Sequence, residues 1–381
     1  MSSSETTAVE QPWVLQFCHG YDGPFLDCAR QYASLFAGTR YKVLTVFLTG
    51  APDPEVAAGC ASDEVLFLDY RSKDIRGLKL RAIRDLRAIA RSRPFVLCLA
   101  HRFKPLYIAA LATALPSIGV NHAFGVYQRW PRRLFAQAFL RRVSLLGVSE
   151  AVRDDIRRCL PGWPAERIEA LHNRIDVAQL QASQLSRVVA RDELRLPADA
   201  WIVGNVGRLH PDKDQATLIR GFAKAQPRLP TGSVLAILGS GRLEDDLKDL
   251  ARELGVSQQV LFLGQVPEAK RYFKAFDVFA LSSDHEPFGM VLLEAMAAGV
   301  PLLATACGGA REVVEGVGVL FPLADDDALA QGLLHMAQLD AAQRQACTEA
   351  MQARLREQFS DEAITRRFWA LSMIAPLRAG D

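Results

Sequence analysis

Short apolar, β-branched runs alternate with amphipathic stretches along almost the whole chain, and this alternation narrows the folds open to it. In the first half the runs are Val14–Phe17, Lys42–Phe47, Glu64–Leu68, Phe95–Leu99, Ala123–Tyr127, Val143–Val148 and Arg167–Leu171. In the second half they are Trp201–Val206, Ser233–Leu238, Val260–Leu263, Val278–Leu281, Leu302–Thr305 and Gly318–Phe321. The runs are nearly continuous in apolar residues rather than alternating in and out, so both faces of each strand are covered. The stretches between them, such as Gln215–Ala225 and Leu243–Leu254, carry apolar residues at helical spacing. Strand–helix alternation with doubly buried strands predicts an α/β fold of doubly wound parallel sheets. The alternation breaks once, over 173–200, where a Gln- and Ser-rich stretch precedes Leu196-Pro197. A chain of 381 residues suits two domains better than one core. The expected division is a domain over 1–172, a linker over 173–200, a second domain over 201–360 and a C-terminal helix over 361–381.

Composition excludes several classes. Half the residues are hydrophobic and 23% are charged, which is an ordinary globular balance. The net charge of +2 does not suit a dedicated nucleic-acid binder, so no nucleic-acid partner is expected. Seven cysteines are scattered without a CxxC pair, which argues against a disulfide framework and paired-cysteine zinc sites. Runs such as Val96-Leu97-Cys98-Leu99 read as free thiols in a core, as in a reducing cytosol. The segment Met1–Gln11 lacks the basic and apolar regions of a signal peptide. No run approaches the roughly 18 apolar residues of a membrane span. Charge is nonetheless unevenly placed: residues 1–170 hold 23 Lys and Arg against 16 Asp and Glu, a net of +7.

In doubly wound sheets, ligands sit beyond the carboxyl ends of the strands. Four strand–helix loops are therefore candidates. His19-Gly20-Tyr21-Asp22-Gly23-Pro24 follows the first strand; it is equally a tight turn and a place where backbone approaches a ligand. Gly207-Arg208-Leu209-His210-Pro211-Asp212-Lys213 places a guanidinium at a strand end and an ammonium five residues later, a pair suited to clamping a diphosphate. Gly239-Ser240-Gly241 begins like a dinucleotide fingerprint, but Glu244 stands where the third glycine belongs. The richest loop is Ser282–Glu294, in which Glu286 precedes Pro287 and Glu294 lies two helical turns further on. Pro287 reads as the first helical residue, leaving N–H groups at 288–291 for an anion. Two carboxylates beside an anion site suit sugar hydroxyls on either side of a phosphate. Glu294, between Leu293 and Ala295, needs a partner in any case.

These loops, with Phe262-Leu263-Gly264-Gln265-Val266, Pro301–Thr305, Gly308–Glu312 and Gly147-Val148-Ser149-Glu150, resemble the retaining, nucleotide-sugar-dependent glycosyltransferases of family 4. The resemblance is dense over 200–325 and thinner in the first half. It implies the GT-B fold: two Rossmann-like domains facing each other across a crevice, with a C-terminal helix returning toward the first. It implies that Arg208 and Lys213 hold the donor diphosphate, with Gly207 and Gly239 beside it, and that Glu294 bonds the ribose. It further implies that Glu286 bonds the donor sugar, with the N–H groups of Phe288, Gly289 and Met290 around sugar and phosphate. Val266 would contact the base, Gly20 would pack against donor or acceptor, and His101 would face the reacting sugar. The chain departs from the family at Arg174, where Asn-Gly is usual, at Asp214, where glycine is usual, and in its first loop.

The resemblance also implies a mechanism in which cations and a helix N-terminus stabilise the departing nucleoside diphosphate, with same-face attack. No DxD with metal geometry appears, Asp325-Asp326-Asp327 reading as a helix cap, so no divalent metal or other cofactor is expected. For the acceptor, residues 71–93 read as a basic amphipathic helix with Ile75, Leu78, Ala82, Leu86 and Ile89 on its apolar side. Arg76, Arg84, Arg87 and Arg91 on its other side suit an anionic membrane surface or a phosphorylated glycolipid, though a solvated helix face explains them equally. The expected acceptor is lipopolysaccharide core, with polyisoprenoid-linked sugars second, and the expected location is cytoplasmic, peripheral to the inner membrane. The rival readings are a GT-B nucleotide-sugar epimerase and a non-catalytic nucleotide-sugar-binding protein. A nicotinamide oxidoreductase lacks its glycine fingerprint here.

Overall fold

The computed structural model describes residues 11–23 and 25–378. The leader reading for Met1–Gln11 therefore lies, apart from Gln11, outside the described residues, as does Pro24 of the first loop. The chain divides into two compact units. The first takes the chain up to Leu171 and again from Thr365; the second runs His172–Ile364.

The first unit is built on seven parallel strands: β1 Trp13–Cys18, β2 Lys42–Phe47, β3 Glu64–Phe67, β4 Phe95–His101, β5 Ser117–Asn121, β6 Val143–Gly147 and β7 Ile168–Ala170. Their order is β3-β2-β1-β4-β5-β6-β7. The second unit has β8 Ile202–Val206, β9 Val234–Leu238, β10 Val260–Phe262, β11 Val278–Leu281, β12 Leu302–Thr305 and β13 Val319–Phe321, ordered β10-β9-β8-β11-β12-β13. Every pairing is parallel. In each sheet the winding direction reverses once, between β1 and β4 and between β8 and β11. The loops leaving those strands flank a topological switch point, where doubly wound sheets bind ligands.

The central strands are apolar because helices cover both faces. In the second unit Val203, Leu235, Ile237, Val278 and Ala280 pack with Leu218, Ile219 and Phe222 of helix Gln215–Ala225 and with Leu329 and Leu333 of helix Asp326–Gln338. A Cβ on Gly221 would lie 2.4 Å from the Leu329 side chain, so glycine lets these helices meet closely. The aspartate run caps its helix as expected: the Asp325 side chain accepts from the Ala328 N–H.

Two sequence expectations change. The strand read at Ala123–Tyr127 is a series of turns, and β5 lies earlier, at Ser117–Asn121. Tyr127 is fully buried, which gave the segment its strand-like look. Gly119 and Asn121 made the true strand look like a loop. A Cβ at Gly119 would meet the Leu106 side chain at 2.5 Å, so glycine is required where helix Phe103–Ala112 lies on β5. The helix read over 71–93 begins only at Leu80 and ends at Ala90. Gly77 and Lys79 both have left-handed backbone, at φ of 57° and 56°, and residues 72–78 form turns. Leu78, placed on the buried stripe, is exposed, whereas Ile75, Ala82 and Leu86 are buried.

Residues 173–200 hold two short helices, Val177–Ser183 and Arg187–Glu193, capped by Asp176 and Ser186. They belong to the second unit. Arg191 is buried there and donates to Ala275 O at 2.9 Å, Ala200 O at 3.0 Å and Asp277 Oδ2 at 2.9 Å. Within the first unit, Trp369 Nε1 donates to Leu35 O at 3.0 Å, Tyr41 Oη donates to Leu377 O at 2.7 Å, and Phe368 packs edge-on against Phe36.

Candidate active site

In the second unit the loops after β8 and β11 are tied together across the switch point. Lys213 Nζ donates to Glu286 Oε2 at 2.7 Å, and Ser283 Oγ donates to the same oxygen at 3.3 Å. Ser282 Oγ donates to Lys213 O at 3.0 Å, and the Asp284 N–H donates to Asp212 O at 3.1 Å. The Lys213 and Glu286 side chains are only 19% and 9% exposed, so each depends on the other for charge compensation. Arg208 stands beside them with its side chain 72% exposed and only a long 3.5 Å contact to Asp212. Its backbone carbonyl is fixed by Gln215 Nε2 at 3.0 Å. The backbone of this loop is held while its guanidinium stays open to an incoming anion.

The departure at Asp214 has a local cause. Its backbone is left-handed, at φ 43°, a conformation that favours glycine but admits aspartate. The side chain then caps helix Gln215–Ala225, accepting from the Thr217 N–H at 3.3 Å and Thr217 Oγ1 at 2.7 Å. Aspartate thus meets the turn's conformational demand and adds a cap that glycine lacks.

Gly239 lies against its neighbouring loop. Its N–H donates to Gly264 O at 2.7 Å, and a Cβ there would fall 1.9 Å from Gly207 O. The Leu209 N–H donates to Ser240 O and the Gly207 N–H to Leu238 O. Gly207 and Gly239 are thereby brought together, backbone to backbone, which accounts for both glycines in packing terms.

The loop after Glu286 differs from expectation. Pro287 is not the first helical residue; the helix runs Met290–Ala297, with Gly289 as its cap at φ 96°. Phe288 is 2% exposed, in aromatic contact with His172 and Phe359, so its side chain is unavailable and only its backbone could serve a ligand. The first-turn N–H groups of Met290 and Val291 have no intrahelical acceptor. Glu294, four residues after Met290 and on the same helix face, is half-buried. The Gly309 N–H donates to Glu286 O at 2.8 Å and fixes the backbone of the acid. Cys307 donates its thiol to Ser283 O at 3.0 Å, and burial pushes its pKa up to about 11, so it stays a neutral thiol.

Val266 lies elsewhere in this unit. It lines a cavity of 770 Å³ along the edge strand β10, with Phe262, Lys248, Arg195 and Tyr272. Neither Arg208, Lys213, Glu286 nor Glu294 lines that cavity. This cavity and the charged cluster are therefore separate features.

In the first unit, Gly20 follows β1. A Cβ there would lie 2.7 Å from Thr49 Oγ1, so the loop beside β2 already fills the space a side chain would need. His101 is the last residue of β4 and only 3% exposed. Its Nδ1 lies 3.2 Å from His122 Nε2, with the two rings stacked and the Tyr32 ring edge-on. Burial, followed by His122, holds the His101 pKa well below its usual range; burial and Arg102 push His122 down to about 4. Both imidazoles are neutral at neutral pH, so one donates and the other accepts. His101 Nε2 is buried without a protein partner. His122 is the residue that the sequence reading missed. It stands one position past the carboxyl end of β5, at the same sheet end as His101, and is less deeply buried. A histidine just beyond a strand was the available signal; reading the strand at Ala123–Tyr127 put His122 at the wrong end.

The four arginines assigned to an acceptor or membrane do not share one helix face. Arg87 donates to Ala112 O at 3.2 Å and Leu111 O at 3.0 Å, tying its helix to helix Phe103–Ala112. Arg84 pairs with Asp85 at 3.2 Å. Arg76 lies in the preceding turns and Arg91 just past the helix end, both exposed. All seven cysteines are free. Among the described residues no helix is long and apolar enough to cross a membrane.

Two parallel sheets with charged loops at a switch point define a doubly wound α/β architecture. Comparison with known proteins makes the class specific. Residues 187–354 match the family "Glycosyl transferases group 1", and residues 26–179 match "Glycosyltransferase Family 4". The lipopolysaccharide core biosynthesis glycosyltransferase LpsE of Rhizobium meliloti is 32% identical over 291 residues, 73% of this chain and 78% of that protein. A GDP-mannose-dependent phosphatidylinositol monomannoside mannosyltransferase of Mycobacterium tuberculosis is 29% identical over 75% of this chain and 77% of its own length. Among solved structures, Anabaena HepE in complex with UDP-glucose superposes with a TM-score of 0.77 at 20% identity, covering 97% of this chain and 100% of that one. The chain belongs to the family 4 glycosyltransferases, with the GT-B fold.

Proposed function

We propose that the protein transfers a sugar, with retention of anomeric configuration, from a nucleoside-diphosphate sugar to a hydroxyl of a membrane glycolipid. Lipopolysaccharide core is the first acceptor to test, and UDP-sugars are the first donors. The observation that carries the reading is the Lys213–Glu286 pair at the β8/β11 switch point, with the open guanidinium of Arg208 next to it. Lys213 and Arg208 supply mobile and forked positive charge for a diphosphate. Glu286 and Glu294 supply acceptors for hydroxyls of the sugar and the ribose. In the transfer, the bond from the anomeric carbon to the phosphate oxygen breaks and a bond to the acceptor oxygen forms on the same face. The acceptor proton passes to a diphosphate oxygen, and the nucleoside diphosphate leaves with its new charge against Lys213, Arg208 and the N–H groups at Met290 and Val291. No divalent metal is needed in this scheme, because the cations already on the loop meet the developing charge.

The acceptor assignment is supported by the relatives. LpsE is named for lipopolysaccharide core biosynthesis and the mycobacterial relative for a phosphatidylinositol mannoside. Both names point to a glycolipid, and the proposed place of action is the cytoplasmic face of the inner membrane. The test is thermal stabilisation by UDP, GDP, ADP and their sugars, followed by transfer assays with the donor so found. Selective stabilisation by one diphosphate, lost in Arg208→Ala and Glu294→Ala, supports the reading. No shift with any nucleotide would refute it.

A further inference from the structure

The cationic surface of the first unit carries an apolar feature that the sequence pattern hid. Leu78 is 67% exposed, Leu80 69%, Trp130 65% and Leu134 59%. Single exposed apolar side chains are ordinary. These four, however, lie on adjoining elements. Lys79, between the two leucines, sets its ammonium 4.8 Å from the Tyr107 ring centroid. Tyr107 on helix Phe103–Ala112 meets Phe135 on helix Trp130–Phe139 at 5.4 Å. Phe135 is flanked in sequence by Leu134 and follows Trp130 on the same helix. Tyr107 and Phe135 are themselves half-buried. Exposed apolar side chains thus occur at both ends of this chain of contacts, at Leu78 and Leu80 and on the helix that carries Trp130, Leu134 and Phe135.

The charge around these side chains is mostly positive. Helices Phe103–Ala112 and Trp130–Phe139 contain no aspartate or glutamate. Lys79, Arg129 and Arg133 stand next to them in sequence, the two arginines being exposed. On the third element, Asp85 is bonded to Tyr70 and Arg84, and in the turns before it the exposed Asp74 accepts from the Arg71 N–H. Exposed apolar side chains beside cations, a tryptophan among them, match the interfacial zone of an anionic bilayer. There, leucines enter the acyl boundary, the indole sits at headgroup depth and cations meet lipid phosphates.

We propose that this face of the first unit docks on an anionic phospholipid bilayer, with Leu78, Leu80, Trp130 and Leu134 as apolar anchors. The inference deepens the glycolipid reading above and rests on it for the choice of a membrane as the occupant. It moves the contact from Arg84, Arg87 and Arg91 to the turn before Leu80 and the helix from Trp130.

The test is sedimentation of the full chain with vesicles, without nucleotide or acceptor. Vesicles of phosphatidylglycerol and phosphatidylcholine are expected to bind it, phosphatidylcholine alone much less. Binding should weaken at least about tenfold in Trp130→Ser/Leu134→Ser and in Leu78→Ser/Leu80→Ser. Val188→Ser, at a valine 77% exposed on the second unit, should bind as the wild type does. Because all these positions are exposed, unchanged melting curves will show that the variants fold. Equal binding by wild type and both double variants would overturn the proposal, as would indifference to lipid charge. A wild-type dimer that the double variants dissociate, without vesicle binding, would assign the face to a second copy instead. Vesicle binding without nucleotide-dependent transfer would sink the glycosyl-transfer reading and leave this face standing.

Discussion

Replacing Lys213 by methionine removes the partner of a carboxylate that is 9% exposed. Breaking a fully buried ion pair costs about 3–5 kcal/mol, because the remaining charge stays desolvated. Here Ser283 Oγ still donates to Glu286, and Lys213 retains some exposure, so a cost of about 2 kcal/mol is expected. For a unit of this size each kcal/mol lowers Tm by roughly 2–4 °C, which gives a fall of ~4–8 °C in the melting of the second unit. Scanning calorimetry reads the shift. The decisive variant is Lys213→Met/Glu286→Gln, which removes the stranded charge and keeps the shape. It should recover most of the lost stability, while Lys213→Met and the double variant alike lose stabilisation by a nucleoside diphosphate. If Lys213→Met melts like the wild type, or if the two substitutions are additive, the pair is not coupled and the electrostatic account of the loop fails.

Further expectations concern both units. His122, with its pKa near 4 against about 6.5 in an unfolded chain, is neutral when folded, so the unfolded state binds more protons between those values. His122 alone should therefore lower first-unit stability by about 2–3 kcal/mol as pH drops from 6.5 to 4, with His101 adding a fall of the same sign; denaturation against pH should show a shallower slope in His122→Gln, and an unchanged slope would refute the assignment. Asp214→Ala should cost about 1–2 kcal/mol through the lost cap and the left-handed backbone, and Asp214→Gly less than Asp214→Ala, as read by urea denaturation. Transfer activity should survive excess EDTA; an absolute requirement for Mg²⁺ or Mn²⁺ would contradict the metal-independent scheme.

The fold was legible because parallel strands covered on both faces must be apolar throughout, and Lys42–Phe47, Val278–Leu281 and Leu302–Thr305 coincide with their strands residue for residue. β5 was not, because what makes Gly119 suit a strand is the Leu106 side chain lying over it, a tertiary fact. At the site, the Lys213 and Glu286 loops were legible as strand-end loops, but not that the two side chains pair. Residues 73 positions apart carry no local signal of contact. The basic stretch was misread over 71–79 because charge periodicity suggested a helix while Gly77 and Lys79 require left-handed backbone there. His122 was missed through the displaced strand alone.

The first unit is discontinuous in sequence, and this bears on how the protein is made. A chain emerging from a ribosome folds from its N-terminal side as units become complete. His172–Ile364 form one uninterrupted unit, which is complete once Ile364 has emerged. The first unit must wait longer, since Phe368, Trp369 and Leu377, which cover Phe36, Leu35 and Tyr41, are translated after the whole of the second. The unit begun first is thus the unit completed last. A nascent chain stalled before Thr365 would display an uncovered aromatic patch on its earliest-made part, where a chaperone would find it.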